Sequence, residues 1–180
     1  MRKKIKLILV GIAGLIFLFT IIGLLIPSSV KISRGIIVNR DSATVAKLVG
    51  DVKSWPEWMI WLRSGEGSFV KFSNEGTVSA VKWYTFNPKG SGEIELLGKG
   101  DELFRLRHHF PGLNVAEGGI RLRSVSTTQT EILWMLEYPL KWYPWERFEG
   151  IFLDGILGQS LEASLQLIKE KLLFVSSEAI

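Results

Sequence analysis

The pattern of apolar and polar positions divides the chain into three textures. Residues 7–26, LILVGIAGLIFLFTIIGLLI, hold no charge. At about 1.5 Å per residue this makes a helix of roughly 30 Å, the thickness of a bilayer's hydrocarbon core. From residue 30 onward the texture becomes β-rich. Residues 30–39, VKISRGIIVN, read as a first strand. Asp41 or Ser42 can cap a helix that runs to about Val49, with Val45, Leu48 and Val49 as its apolar stripe. The segment 54–61, SWPEWMIW, shows neither period, and Pro56 suits the first turn of a second short helix. Residues 68–73, 77–86, 92–98, 103–110, 119–125 and 130–138 predict six further strands, separated by turn chemistry at 74–76, 87–90, 99–101 and 111–112. Several alternate cleanly: Ile94 and Leu96 oppose Glu93 and Glu95, and Ile120 and Leu122 oppose Arg121 and Arg123, so one face is dry and the other wet. The third texture is helical. From about 145 to 174, Phe148, Ile151, Phe152, Leu161, Leu165, Ile168 and Leu172 recur at helical spacing. Gly150, Gly155 and Gly158 fall in its first half, where they can kink it or admit a close approach.

Strand, two short helices, six antiparallel strands and one long final helix make an α+β chain. The dry face of the sheet must be covered, and only the last helix is long enough to do it. The expected architecture is a curved antiparallel sheet of about seven strands gripping a long C-terminal helix, preceded by one transmembrane helix. This order, over 30–173, resembles the START-like, helix-grip superfamily often called SRPBCC. That superfamily includes the birch pollen allergen, lipid-transfer START domains and polyketide cyclase/dehydrase-like bacterial proteins. The resemblance rests on Asp41-Ser42-Ala43-Thr44-Val45, on Asp51-Val52-Lys53-Ser54-Trp55-Pro56-Glu57-Trp58, and on the closing helix with Leu161 and Ile168-Lys169. It is similar to bacterial members that carry an N-terminal anchor and have no known function. The implied division is 1–29 for basic tail, span and linker, 30–175 for the domain, and 176–180 for a tail.

Charge changes the picture at one end. The net charge is +4. Arg2, Lys3, Lys4 and Lys6 account for all of it, so the remainder is close to neutral and shows no basic nucleic-acid-binding face. By the positive-inside rule these residues stay in the cytoplasm, which places the domain beyond the cytoplasmic (inner) membrane. A cleaved signal peptide is the alternative, but its apolar region is usually about 7–15 residues and ends in small residues, unlike Ile26-Pro27-Ser28-Ser29. The chain has no Cys, which excludes disulfides, a lipoprotein anchor and thiol chemistry.

Candidate chemistry is sparse. There is no metalloprotease, nucleophile-elbow, Walker or dinucleotide motif, and no metal or cofactor is expected. Gly65-Glu66-Gly67 and Gly90-Ser91-Gly92 are too short to count as phosphate loops. His108 and His109 are strand neighbours and point to opposite faces. His108 shares the apolar register of Phe104, Leu106 and Phe110, so it is the inward candidate, either as a ligand's hydrogen-bond donor or as an acid/base. Arg105, Arg107, Arg121 and Arg123 belong on the wet face, paired with glutamates across strands. The helix-grip resemblance implies an apolar cavity between sheet and helix. Its candidate lining is Trp55, Trp58, Trp61, Trp83, Leu96, Leu106, His108, Leu122, Trp134, Phe148, Ile151 and Phe152, with Tyr84 and Tyr138 as polar groups. For Trp55, Trp58 and Trp61 three roles stand open: core filling, cavity mouth, or interfacial anchors. Trp142 and Trp145, joining last strand to last helix, are expected to be a staple, a gate, or a foot on the membrane. The function expected first is membrane-tethered binding of a lipid, isoprenoid or polyketide-like molecule. A cyclase/dehydrase-type enzyme and a module that binds an envelope protein are the alternatives.

Overall fold

The computed structural model describes residues 2–63, 69–76, 78–85, 90–100, 102–110 and 112–174, the side chains of Arg2, Glu75 and Phe174 excepted. The expected Gly65-Glu66-Gly67 turn, the strand ends at 68, 77 and 86, turn residues 87–89, 101 and 111, and the tail 176–180 lie outside the described residues.

The charge-free N-terminal run forms α1 (Arg2–Leu25), which is long and apolar enough to cross a membrane. After an interval of three residues β1 (Ser29–Val38) begins. Asp41 caps α2 (Ser42–Gly50): its carboxylate accepts from the Thr44 N–H at 2.9 Å and the Thr44 hydroxyl at 2.6 Å. Those bonds hold the Asp41 carboxyl below its ordinary range. α3 (Trp55–Trp58) is a single turn with Pro56 at its start, set between 3₁₀ turns at Val52–Ser54 and Ile60–Arg63.

Six strands follow: β2 (Phe69–Glu75), β3 (Val78–Tyr84), β4 (Gly92–Lys99), β5 (Leu103–His109), β6 (Ala116–Ser126) and β7 (Gln129–Pro139). They join β1 in one antiparallel sheet of order β1-β7-β6-β5-β4-β3-β2. The passage from β1 at one edge to β2 at the other is made by α2 and α3, which therefore close one end of the sheet. Register shifts at Leu96/Gly98 and Ser124/Ser126 mark bulges, which bend a sheet locally. On the wet face two of the four expected arginines, Arg107 and Arg123, make cross-strand pairs. Arg107 bridges Glu95 and Glu117 at 3.4 and 2.9 Å, and Arg123 meets Glu131 at 2.7 Å.

β6 starts three residues before its predicted position. Gly118 and Gly119, expected at or before its start, lie inside it. A side chain at Gly118 would overlap the Met135 carbonyl, and one at Gly119 the Phe104 carbonyl. Neighbouring backbone comes too near there for any residue but glycine.

α4 (Pro144–Phe174) is unbroken. Its glycines do not end it: Gly150 lies against Leu140 and Val30, and Gly158 against the Arg34 guanidinium, so both admit a close approach to β1. The face turned to the sheet is Leu157, Leu161, Ser164, Leu165, Ile168 and Leu172, all buried. This corrects the expectation for the helix's early residues. Ile151 and Phe152 are 61% and 69% exposed, and Phe148 packs edge-on against Phe19 of α1 with ring centroids 5.9 Å apart. At about 100° per residue, Ile151 and Phe152 lie a third of a turn or more from the Leu157 direction. They therefore point away from the sheet.

Candidate functional site: an aromatic cage around His108

Alternation on each strand decides what reaches the concave side. Ile94 and Leu96 on β4, Leu106 and His108 on β5, Ile120 and Leu122 on β6, and Ile132, Trp134 and Leu136 on β7 are all buried there. Trp83 joins them from β3, its indole N–H donating to the Gly90 carbonyl at 2.6 Å. Tyr84, its neighbour, therefore faces the opposite side and stacks on Phe69 at 4.7 Å. It does not supply the interior with a polar group, which corrects the expectation from sequence.

The SWPEWMIW segment closes the open end. Trp55 and Trp58 are fully buried. Their indole N–H groups are bonded, Trp55 to the Val49 carbonyl at 2.8 Å and Trp58 to Ser54 Oγ at 3.2 Å. Ser54 Oγ in turn donates to the Leu48 carbonyl at 2.7 Å. These two rings are satisfied core. Trp61 differs. It is half-buried and meets three rings edge-on: His108 at 5.8 Å, Phe110 at 5.3 Å and Trp134 at 5.8 Å. Trp83 packs on Phe110 at 5.8 Å, and Trp134 contacts Trp58 at 5.9 Å. The result is a cage of indoles and phenyl around one imidazole.

Inside that cage, His108 Nδ1 and Nε2 and Trp134 Nε1 are buried with no hydrogen-bond partner among the described residues. Burial, and secondarily the charge of His109, lowers the His108 pKa from 6.5 to about 3. The imidazole is neutral at pH 7. His109 is on the wet face, its Nε2 3.1 Å from Glu95 Oε1, close enough for an ion pair without the alignment of a hydrogen bond.

Tyr138 is buried in a separate polar knot where β7 hands over to α4. Its oxygen accepts from the Asn114 N–H at 2.6 Å, while Asn114 Nδ2 donates to the Pro139 carbonyl at 2.8 Å and to Glu146 Oε1 at 2.6 Å. Burial raises the Tyr138 pKa. Phe110 and Ser164 complete the interior beyond the expected residues. Phe110 shares His108's register, so alternation pointed to it. Ser164 accepts from the Ile60 N–H at 3.0 Å and donates to the Ser160 carbonyl at 2.8 Å, tying α4 to the turn after α3. A lone serine in the apolar stripe of α4 was its only mark in the sequence.

Surface cavities among the described residues flank this interior. One of about 1100 Å³ lies on the outer face of the sheet around Arg105, Arg107 and Glu117. One of about 770 Å³ runs along α4 past Ile156 and Ser160. The third, about 610 Å³, separates α1 from the start of α4. Among the described residues no cluster of three His, Asp or Glu side chains could hold a metal ion.

No protein-family model matches the sequence, and no curated protein matches it. Solved structures do. The chain is similar to the Zhui aromatase/cyclase from Streptomyces sp. R1128, with 14% identity over 79% of this chain and 93% of that one, and a TM-score of 0.58. It is similar to a START superfamily protein from Mycobacterium smegmatis, with 15% identity over 81% and 98% and a TM-score of 0.59. The di-domain ARO/CYC StfQ from the steffimycin biosynthetic pathway aligns at 11% identity with a TM-score of 0.60, this chain spanning 50% of its length. At these identities the likeness is one of fold: the chain has the START-like, helix-grip fold.

Proposed function

We propose that this START-like domain binds a hydrophobic small molecule, a lipid, isoprenoid or polyketide-like compound, between its sheet and α4 while α1 tethers it to a membrane. In this reading residues 1–29 are tail, anchor and linker, 30–175 the binding domain and 176–180 a tail. The basic N-terminus faces the cytoplasm, and the domain lies on the far side of the cytoplasmic membrane. A tether raises the domain's effective concentration near membrane-borne ligands.

One observation carries the proposal: the three unpartnered ring nitrogens of His108 and Trp134 inside the aromatic cage. Buried polar groups are nearly always bonded, and an unmet one costs about 1–3 kcal/mol. A mostly apolar ligand with one oxygen acceptor would take the Trp134 N–H or the His108 N–H, its body lying on Trp61 and Phe110. Apolar walls with a few convergent polar groups are the usual form of such a site.

Native mass spectrometry of the full chain, released from detergent, tests this. A defined hydrophobic adduct is expected, and His108→Phe should lose most of it while keeping its circular dichroism spectrum. A clean mass, together with no binding to a panel of lipids, would remove the proposal. A cyclase-type enzyme is the second reading, favoured by the neutral His108 imidazole. A base with a pKa near 3 is a weak one at neutral pH, which is why binding stands first. Incubating the extracted ligand with the protein separates the two: a changed ligand mass supports the enzyme, an unchanged one the binder.

A further inference from the structure

The first half of α4 is apolar on two opposite sides. Its inner side, Gly150, Leu153 and Leu157, meets the domain. Its outer side carries Trp145, Phe148, Phe152 and Ile156, and three of these four are more than 60% exposed. A water-facing helix of a globular domain has charged and polar residues there, and an apolar strip of this size marks an interaction site. Three of the four charges of this half are engaged elsewhere, and the fourth, Glu149, lines the groove beside α1. Glu146 accepts from Asn114, and Asp154 pairs with Arg34 at 3.1 Å. Arg147 donates to the Ile26 and Lys141 carbonyls.

What covers the strip follows from its neighbour. Phe19 of α1 packs on Phe148, and Gly23 lies against Pro144. The two helices enclose the 610 Å³ groove, whose walls include Leu15 and Ile16 on one side and Phe148 and Phe152 on the other. Glu149 is the sole charged residue lining it among the described residues. Phe19 lies six residues before Leu25, the end of α1, which is about 9 Å along the helix. Amphipathic helices lying in a membrane surface bury their apolar side to about that depth, roughly 5–10 Å. A leaflet that covers α1 from Leu15 to Phe19 also reaches the groove, and with it Trp145, Phe148 and Phe152 of the strip. Trp142, Tyr143 and Trp145 fit the same setting, because aromatic rings with a polar atom gather at headgroup level.

We infer that the first half of α4, with the Trp142–Trp145 corner, is seated in the leaflet from which α1 emerges towards the domain, its outer strip and groove covered by lipid acyl chains. The inference rests on α1 being a membrane anchor. It adds that the domain's own long helix, and not only its tether, touches the lipid.

The absence of Cys permits single-cysteine spin labels in the full chain, reconstituted in phosphatidylcholine nanodiscs. Labels are placed at Phe152→Cys and Ile156→Cys on the strip, at Ile12→Cys in α1, and at Arg121→Cys on the outer sheet face. Accessibility to oxygen and to a water-soluble nickel chelate is then compared. Positions 152 and 156 should follow position 12, with oxygen favoured. If they follow position 121 while 12 stays in lipid, the anchor holds and the seat is overturned. Shielding from both reagents would mean that a second copy or another protein covers the strip, which also overturns it. If position 12 itself follows 121, the anchor reading fails and takes this inference with it. A label-free check uses brominated lipids: they should quench part of the native tryptophan emission, and the Trp142→Phe/Trp145→Phe variant should lose most of that quenchable part. No quenching in the native chain overturns the seat.

Discussion

Two segments of this chain, SWPEWMIW (54–61) and KWYPWER (141–147), each set tryptophans on either side of a proline, next to a glutamate. Their fates are opposite. Trp55 and Trp58 have no exposed surface, whereas Trp142 and Trp145 are 69% and 65% exposed. The difference is in what surrounds them. The first segment follows α2, whose Val49 carbonyl takes the Trp55 N–H, and it faces the concave sheet, where Trp134 meets Trp58. The second leaves the sheet at its β1 side. Its Tyr143 and Trp145 rings stack on each other at 4.9 Å rather than on the core. Buried indoles with bonded N–H groups serve the fold, while exposed ones with no core contact are free to serve an interface.

The largest expected effect tests the first half of that contrast. Trp55→Ala removes a fully buried ring and its N–H bond, and large-to-small changes of this kind cost about 3–5 kcal/mol. Urea unfolding of the full chain in detergent should show a midpoint far below that of the native protein. A loss under about 1 kcal/mol would mean that this tryptophan is not core, because surface substitutions fall in that range.

The second test concerns the cage between the two segments. Burial lowers the His108 pKa to about 3, while the unfolded chain keeps it near 6.5. Between those values the unfolded state binds more protons, so His108 makes stability fall as pH falls from about 6.5 towards 3. The slope approaches 1.4 kcal/mol per pH unit, and a few kcal/mol are lost across the window. Above pH 6.5 this group adds no dependence. Asp41, whose carboxyl is held low, acts in the same direction, so the comparison is with His108→Phe, which keeps Asp41. Its stability should fall less steeply over that window. Identical slopes would mean that His108 is not buried as a neutral ring.

How much of this was legible depends on the kind of contact. Alternation alone placed His108 inward and His109 outward, and put the arginines on the outer face, where Arg107 and Arg123 meet glutamates. The same rule separates Trp83 from Tyr84, since adjacent strand residues cannot both face inward, yet two aromatics side by side invite both into one site. In α4 the period was clear but its direction was not. A helix apolar on two sides offers two candidate inner faces, and Phe148, Ile151 and Phe152 lie on the side turned from the sheet. The sequence places Gly119 only at the start of β6 and Gly118 before it, because nothing local reveals that the Met135 and Phe104 carbonyls approach them. That the Trp134 and His108 nitrogens lack partners is a fact about rings brought together from four separate segments, and no local pattern carries it.

The smallest expected effect closes the contrast from its other side. Trp145→Ala removes as large a ring as Trp55→Ala, yet that ring makes no core contact and stacks on Tyr143 at the surface. Its effect on urea unfolding should stay within about 0.5 kcal/mol, the range of surface substitutions. If Trp145 were instead a hydrophobic staple of the α4 start, unfolding would shift by more than that in detergent and bilayer alike. If the ring is seated in lipid, the domain should stay as stable as the native protein in detergent. In bilayers the variant should lose lipid-quenchable tryptophan emission. Equal size with unequal cost is then the measure of what the surroundings, rather than the residue, decide.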